Sequence, residues 1–289
     1  MPQPGYHAPE TVQQAIALLS KEPGARVLAG GTDLIVQMRS GRIASPLIVD
    51  LKRISGMIGI RASGDGFAIG AATPCTALKK DAAFAAAWPG VVEAANLIGS
   101  VQVRNRATMA GNLCNASPAA DSVPALIAAG ATCLIAGPSG ERELPVEQLA
   151  TGPGRTGLAT GEFVVELRLP ARPKGGGDAY LRLIPRTEMD IAVVGAGAAL
   201  VIDAAGTCTA ARISIGAVAP TALLVAGAGA ALVGSKFDDA ALGRMGEAVR
   251  AACSPIDDKR GTISYRTDMA AVIARRAVAI ARQRAGEAN

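Results

Sequence analysis

Arg104-Asn105-Arg106-Ala107-Thr108-Met109-Ala110-Gly111-Asn112-Leu113-Cys114-Asn115-Ala116-Ser117-Pro118-Ala119-Ala120-Asp121 is the stretch on which the reading turns. Thr108, small residues at 110 and 111, and the Asn112 amide offer hydroxyl, amide and backbone N–H donors within one short segment. Asp121, behind a Pro-containing turn, is placed to accept hydrogen bonds from sugar hydroxyls. A partner stretch lies upstream. The apolar strand Arg26–Ala29 runs into Ala29-Gly30-Gly31-Thr32-Asp33-Leu34, and Leu34 begins a short helix. Two glycines let the backbone turn with its N–H groups exposed, and a helix N-terminus just behind adds positive dipole character. Either loop alone is usually just a turn. As a facing pair they suit a diphosphate clamp.

Outward from these loops the chain reads as an α+β protein. Thr11–Leu19 is an amphipathic helix, with Val12, Ala15, Ile16 and Leu19 on one face and Thr11 with Gln14 as a capping box. Leu47–Leu51 reads as a strand, and 59–70 as a hairpin around Ser63-Gly64-Asp65-Gly66. Thr76–Trp88 and Val91–Ile98 read as helices, and Phe163–Leu169 as a strand stopped by Pro170. The Arg-Pro-Lys-Gly-Gly-Gly run within 171–178 reads as a linker. Beyond it, Tyr180–Leu183, Ile191–Ile202 and Ala211–Val218 read as an antiparallel sheet, followed by helices at Leu242–Ala252 and Arg266–Arg284. The expected division is 1–174 and 175–289.

Composition excludes several classes. Charged residues are 18% of the chain, below the usual quarter or so, which rules out disorder. Aromatics are 3%, too few for a base-stacking surface, and the net charge of +5 is a solubility margin rather than a nucleic-acid footprint. The uncharged run 213–235 is broken by Gly216, Pro220, Gly227, Gly229 and Gly234, so no membrane span is expected. The start, Met1-Pro2-Gln3-Pro4-Gly5, has no basic or apolar leader region, and scattered cysteines at 75, 114, 133, 208 and 253 fit reduced thiols in a cytoplasm. They also form no metal or iron–sulfur ligand pattern, so no metal site is expected. His7 is the only histidine and stands before the first helix, which leaves no triad partner. Gly195-Ala-Gly197 and Gly227-Ala-Gly229 imitate a dinucleotide fingerprint but lack its third small residue; close backbone packing is the better reading. With no acid–base or metal machinery of its own, the chain needs a cofactor if it is redox-active.

Residues 27–34 and 98–121 resemble the two FAD-binding loops of the medium, flavin-carrying subunit of the molybdenum hydroxylases, the family of xanthine, carbon monoxide and nicotine dehydrogenases and quinoline oxidoreductase. The likeness continues through Gly70-Ala71-Ala72-Thr73 and Arg186-Thr187-Glu188-Met189-Asp190-Ile191-Ala192 and covers essentially the whole chain. It implies a vanillyl-alcohol-oxidase-like (PCMH-type) FAD domain of two α+β subdomains, then a smaller α+β C-terminal domain with an antiparallel sheet and helices. It implies that Val27, Leu28, Ala29, Gly30, Gly31, Thr32, Asp33 and Leu34, with Thr108, Met109, Ala110, Gly111 and Asn112, wrap the FAD diphosphate. Ile98 and Val164 would give apolar contacts, Asp121 would hold sugar hydroxyls, and Arg182 would stand as a cation near the flavin ring. The chain departs from the family at Ala110, which replaces a Gly, in lacking a Cys-rich insertion between Asn112 and Asp121, and at Leu223-Leu224-Val225-Ala226, apolar where relatives tend to carry charges, which suggests a buried helix or a partner contact.

The function so implied is electron transfer. FAD here would accept electrons from two [2Fe–2S] clusters in a small subunit and pass them to an external acceptor, while substrate is hydroxylated at a molybdenum cofactor in a large subunit. No catalytic residue is assigned to this chain, and a heterotrimer or its dimer, cytoplasmic and binding no nucleic acid, is expected. The alternatives are a free-standing flavin oxidase of the same fold, or a scaffold subunit that has lost FAD.

Overall fold

In the computed structural model, which describes residues 4–287, the chain opens with β1 (Gly5–His7), α1 (Val12–Lys21), β2 (Arg26–Leu28), α2 (Leu34–Arg39) and β3 (Leu47–Asp50). Met1–Gln3 of the leader reading lie outside the described residues. The Thr11 hydroxyl accepts from Gln14 N at 3.2 Å, and the Gln14 side chain reaches back to Glu10 N at 2.9 Å. That is the expected reciprocal cap, displaced by one residue at its return arm. Strands β1 and β2 flank β3 in parallel, with Tyr6 opposite Ile48 and Val27 opposite Val49. His7 sits on the exposed strand β1.

A second unit follows: β4 (Ile60–Ser63), β5 (Gly66–Gly70), α3 (Cys75–Leu78), α4 (Ala82–Ala87), α5 (Pro89–Asn96), α6 (Val101–Arg104), α7 (Met109–Cys114), α8 (Ser122–Ala128), β6 (Thr132–Gly137), β7 (Gly140–Pro145), β8 (Ala150–Gly152), β9 (Arg155–Thr156) and β10 (Phe163–Leu169). Five strands pair antiparallel in the order β4-β5-β10-β6-β7. The single helix expected over 76–88 is two, because Asp81 accepts from Phe84 N at 2.9 Å and starts a new helix. Every residue of α8 is buried.

The C-terminal part contains β11 (Gly176–Leu183), β12 (Val194–Ile202), β13 (Cys208–Gly216), β14 (Leu223–Leu224), α9 (Ala226–Leu232), α10 (Asp239–Ala252) and α11 (Ile263–Glu287). The four strands form an antiparallel sheet in sequence order, covered by α11 and α9, with α10 packed against both helices. Two expectations are corrected here, the second only in its helix alternative. The glycine run read as a linker supplies Gly176 and Gly177 to β11, both buried. A Cβ on Gly177 would stand 1.9 Å from the Ala281 carbonyl of α11, so this glycine serves close packing rather than freedom. Arg172 straps the preceding turn through bonds to Gly176 O and Asp178. Leu223-Leu224 form an edge strand on β13 rather than a helix.

The Gly/Ala stretches follow the packing reading. A Cβ on Gly197 would meet Pro124 O of α8 at 2.5 Å, and one on Gly229 would meet Ala211 O at 2.3 Å. Bare backbone on β12 thus lets α8 lie against the C-terminal sheet. Among the described residues, no helix is long and apolar enough to cross a membrane.

Candidate functional site

Where β2 ends, the chain turns through residues 29–33 into α2. Lys52 fixes that turn: its Nζ donates to Ala29 O at 3.1 Å and to Asp50 Oδ1 at 2.6 Å, while Tyr6 OH donates to Asp50 Oδ2 at 2.6 Å. Burial pushes the Asp50 carboxyl up, but the bonds from Lys52 and Tyr6 outweigh it and hold it below its ordinary value. Asp50 therefore stays charged and Lys52 stays paired. Gly31 has φ of +81°, the left-handed region that favours glycine. No hydrogen bond within the described residues engages the backbone N–H groups of Gly30, Gly31, Thr32, Asp33 or Leu34. Asp33 is open to solvent at the cleft, yet the protein around it desolvates its carboxyl and raises it.

The second loop joins α6 to α7. Thr108 caps α7, its hydroxyl accepting from Gly111 N at 2.9 Å, and Cys75 N donates to Ala107 O at 2.8 Å. The N–H group of Ala110 has no partner among the described residues, whereas that of Met109 is turned to the Thr73 carbonyl across the bridge between Pro74 and Thr108. Ala110 lies within α7 and is absent from the residues of positive φ, so its methyl group carries no backbone strain. The loops touch. A Cβ on Gly30 would stand 2.0 Å from Arg106 O and 3.0 Å from Ala107 Cα. The unpaired N–H groups of residues 30–34 and of Ala110 thereby face one cleft.

That cleft has a volume of about 640 Å³. Val27, Ala29 to Leu34, Ile98, Thr108, Ala110, Gly111, Asn112 and Val164 line it, with Leu51, Ala71 and Phe163 adding apolar wall. Four of the expected residues do not line it. Leu28 packs beneath Gly31, with its Cδ1 2.9 Å from where a Gly31 Cβ would be, and Met109 is core. Asp121 and Arg182 bind each other at 2.9 Å, and Arg182 Nη1 also donates to Leu97 O at 2.9 Å. The Arg182 side chain is 4% exposed, so it is not a surface strand residue. Burial lifts the Asp121 carboxyl to about 6, against the opposing pull of Arg182 and the Tyr180 hydroxyl. Asn112 spends its Oδ1 on Ser122, at 3.2 Å to N and 2.8 Å to Oγ, which ties α7 to α8.

Sequence reasoning missed one whole wall, made by Gly154, Thr156 and residues 158–163. Glu162 organises it, accepting from Ala159 N at 2.8 Å and from Arg142 Nε at 2.8 Å; the Arg142 bond holds the carboxyl below its ordinary value. Its sequence signal was only the Thr-Gly-rich run from 151 to 161, which reads as ordinary turns. The donor set suits an anion with two phosphates, and the apolar wall suits a flat ring system beyond it. Among the described residues no group of His, Cys, Asp and Glu is placed to hold a metal ion.

Comparison with known proteins agrees with this arrangement. Residues 2–172 match the family described as the FAD binding domain in molybdopterin dehydrogenase, and residues 179–281 the CO dehydrogenase flavoprotein C-terminal domain. The carbon monoxide dehydrogenase medium chain of Hydrogenophaga pseudoflava is 38% identical over 94% of this chain and 95% of that one. The xanthine dehydrogenase FAD-binding subunit of Escherichia coli O157:H7 is 35% identical over 75% of this chain and 74% of that one. Reconstituted CO dehydrogenase from Oligotropha carboxidovorans superposes with a TM-score of 0.94 at 36% identity, covering 98% of this chain and 99% of that one. Quinoline 2-oxidoreductase from Pseudomonas putida 86 gives a TM-score of 0.89 at 30% identity, covering 99% of each.

Proposed function

The chain belongs to the FAD-binding medium-subunit family of the molybdenum hydroxylases, and on that premise we propose that its cleft holds FAD with the diphosphate between the two loops. It is the flavin-carrying subunit of a multi-subunit oxidoreductase, working with a large molybdenum-cofactor subunit and a small [2Fe–2S] subunit, and we place it in the cytoplasm. One observation carries the assignment: unpaired N–H groups at 30–34 and at Ala110 face a single cleft where Gly30 touches Arg106. FAD, when bound, supplies the capacity to take up electrons from one redox partner and release them to another. This chain's residues bind and orient it. Thr108 aims the start of α7, Lys52 fixes the turn at Ala29, and Ile98 and Val164 exclude water beside the ring.

In this reading Asp121 stands by the cofactor's sugar hydroxyls and Arg182 by its ring. The FAD domain runs over 1–174 and the C-terminal domain over 175–289. The scaffold alternative rested on Ala110, whose helical backbone accepts a methyl group without strain. The test is Gly31→Val. A branched side chain at φ of +81°, with Leu28 Cδ1 at 2.9 Å from its Cβ, distorts the loop that offers most of the donors. The variant should keep its helical circular dichroism and lose most bound flavin. Full flavin content in Gly31→Val removes the first loop from the site.

A further inference from the structure

The least anchored part of the cleft wall is the hairpin of β8 and β9. These strands pair only with each other, as a two-stranded sheet separate from the three larger ones. Gly154 and Thr156 line the cleft, while Thr151, Pro153, Arg155 and Gly157 are exposed. The root of the hairpin is fixed twice. Gly157 N donates to the carbonyl of the buried Leu149 at 2.8 Å, and Arg142 Nη2 donates to Gly157 O at 3.2 Å while holding both carboxylate oxygens of Glu162 at 2.8 Å through Nε and Nη2. The tip is fixed once among the described residues, by Gly154 N donating to Ala116 O at 2.9 Å. Ala116 has φ of +49°, in the left-handed region that a non-glycine residue adopts only under constraint. It stands between Asn115 and Ser117, both on the cleft wall, so this bond joins one wall to the other. The remaining walls have no such freedom. Gly30 lies against the Arg106 backbone, Lys52 and Cys75 tie the two loops, and Phe163 and Val164 belong to β10, the central strand of its sheet.

We propose that the hairpin over 150–157 is the gate through which FAD enters and leaves the cleft, hinged at Gly157 beside Arg142 and latched at its tip by the bond between Gly154 and Ala116. The inference rests on the reading that FAD occupies this cleft. A segment with an exposed outer face and one bond across the cleft opens locally, without unfolding the domain. A gate is crossed in both directions. Loosening it therefore speeds uptake and release alike and leaves the affinity unchanged. A wall that only touches the cofactor behaves otherwise: loosening it speeds release alone and weakens binding. Arg142 is the residue to change, because its side chain is 40% exposed on the edge strand β7 and its removal leaves the core intact.

The experiment is flavin exchange in the native complex carrying Arg142→Met, beside the parent complex. Release is read by chasing isotopically labelled FAD with unlabelled FAD, and uptake by adding FAD to flavin-depleted complex. Opening of the hairpin is read by hydrogen–deuterium exchange of the peptide over 150–157. Arg142→Met should speed release and uptake by about fivefold each, the worth of one exposed ion pair of good geometry. The dissociation constant should stay within twofold of the parent, and deuterium uptake over 150–157 should quicken by a similar factor. Faster release with unchanged uptake overturns the proposal and makes the hairpin an ordinary binding wall. Faster deuterium uptake over 150–157 with both flavin rates unchanged also overturns it, because FAD then passes by another opening. No change in any of the three overturns the hinge at Arg142 and the proposal with it. A folded parent complex that holds no flavin refutes the FAD reading itself.

Discussion

Substituting Gly30 by Ala tests whether the contact between the two loops is what builds the site. Gly30 has no positive φ, so the backbone alone tolerates a methyl group. The obstacle is space. The new Cβ would stand 2.0 Å from Arg106 O, 2.8 Å from Arg106 C and 3.0 Å from Ala107 Cα, all backbone atoms that cannot swing aside. Restoring ordinary contact, at 3.4 Å or more, requires the loops to part by about 1.4 Å. Ala107 is tied to Cys75 N at 2.8 Å and Ala29 to Lys52, so neither loop yields freely. Overpacking of this kind costs about 1–3 kcal/mol. If the whole strain appears in the cofactor site, FAD affinity falls about 5- to 150-fold at 1.4 kcal/mol per decade. The assay is quenching of FAD fluorescence on titration with apoprotein, with circular dichroism as the check on folding. Gly243→Ala in α10 is the control; its Cβ meets nothing within 4 Å, and it should add up to about 1 kcal/mol of stability without touching FAD binding. A Gly30→Ala dissociation constant within twofold of the parent refutes the reasoning.

Gly177→Ala should destabilise the protein by about 1–3 kcal/mol in urea unfolding, because α11 must lift from β11; a neutral result returns the glycine run to a flexible linker. The Asp121 carboxyl is raised by burial to about 6, so the folded state binds its proton more tightly than the unfolded state. Its contribution is therefore fullest below about pH 4 and shrinks by up to about 3 kcal/mol as pH rises to about 6. The stability of the parent minus that of Asp121→Asn should fall over that range, and a flat or rising difference rejects the assignment. Burial also pushes the thiols of Cys75, Cys114 and Cys133 up to about 12 and Cys253 to about 11. Ellman's reagent at pH 8 should label the native chain slowly and all five thiols in denaturant; rapid native labelling contradicts the burial argument.

Elements governed by local chemistry were legible in the sequence. The Thr11 cap, the hairpin over 60–70 and the strand Phe163–Leu169 each follow from residues within a few positions of one another. The two loops were legible because their glycines and donors are contiguous. What failed depended on distant partners. Gly176 and Gly177 resemble a linker until Ala281 of α11 is seen against them. The wall at 154–163 belongs to the cleft through pairings such as Arg142 with Glu162, which no periodicity announces. Arg182 was expected beside the cleft, and its pairing with Asp121, 61 residues earlier, emerged only from the folded chain.

The most direct test of the central claim is the identity of the cofactor released by heat from the native complex, resolved by chromatography and counted against protein. Two loops presenting N–H groups at 30–34 and at Ala110 to one cleft suit a diphosphate, so the account predicts FAD, close to one per chain. FMN, which carries a single phosphate, or a fully folded preparation with no flavin, would contradict it.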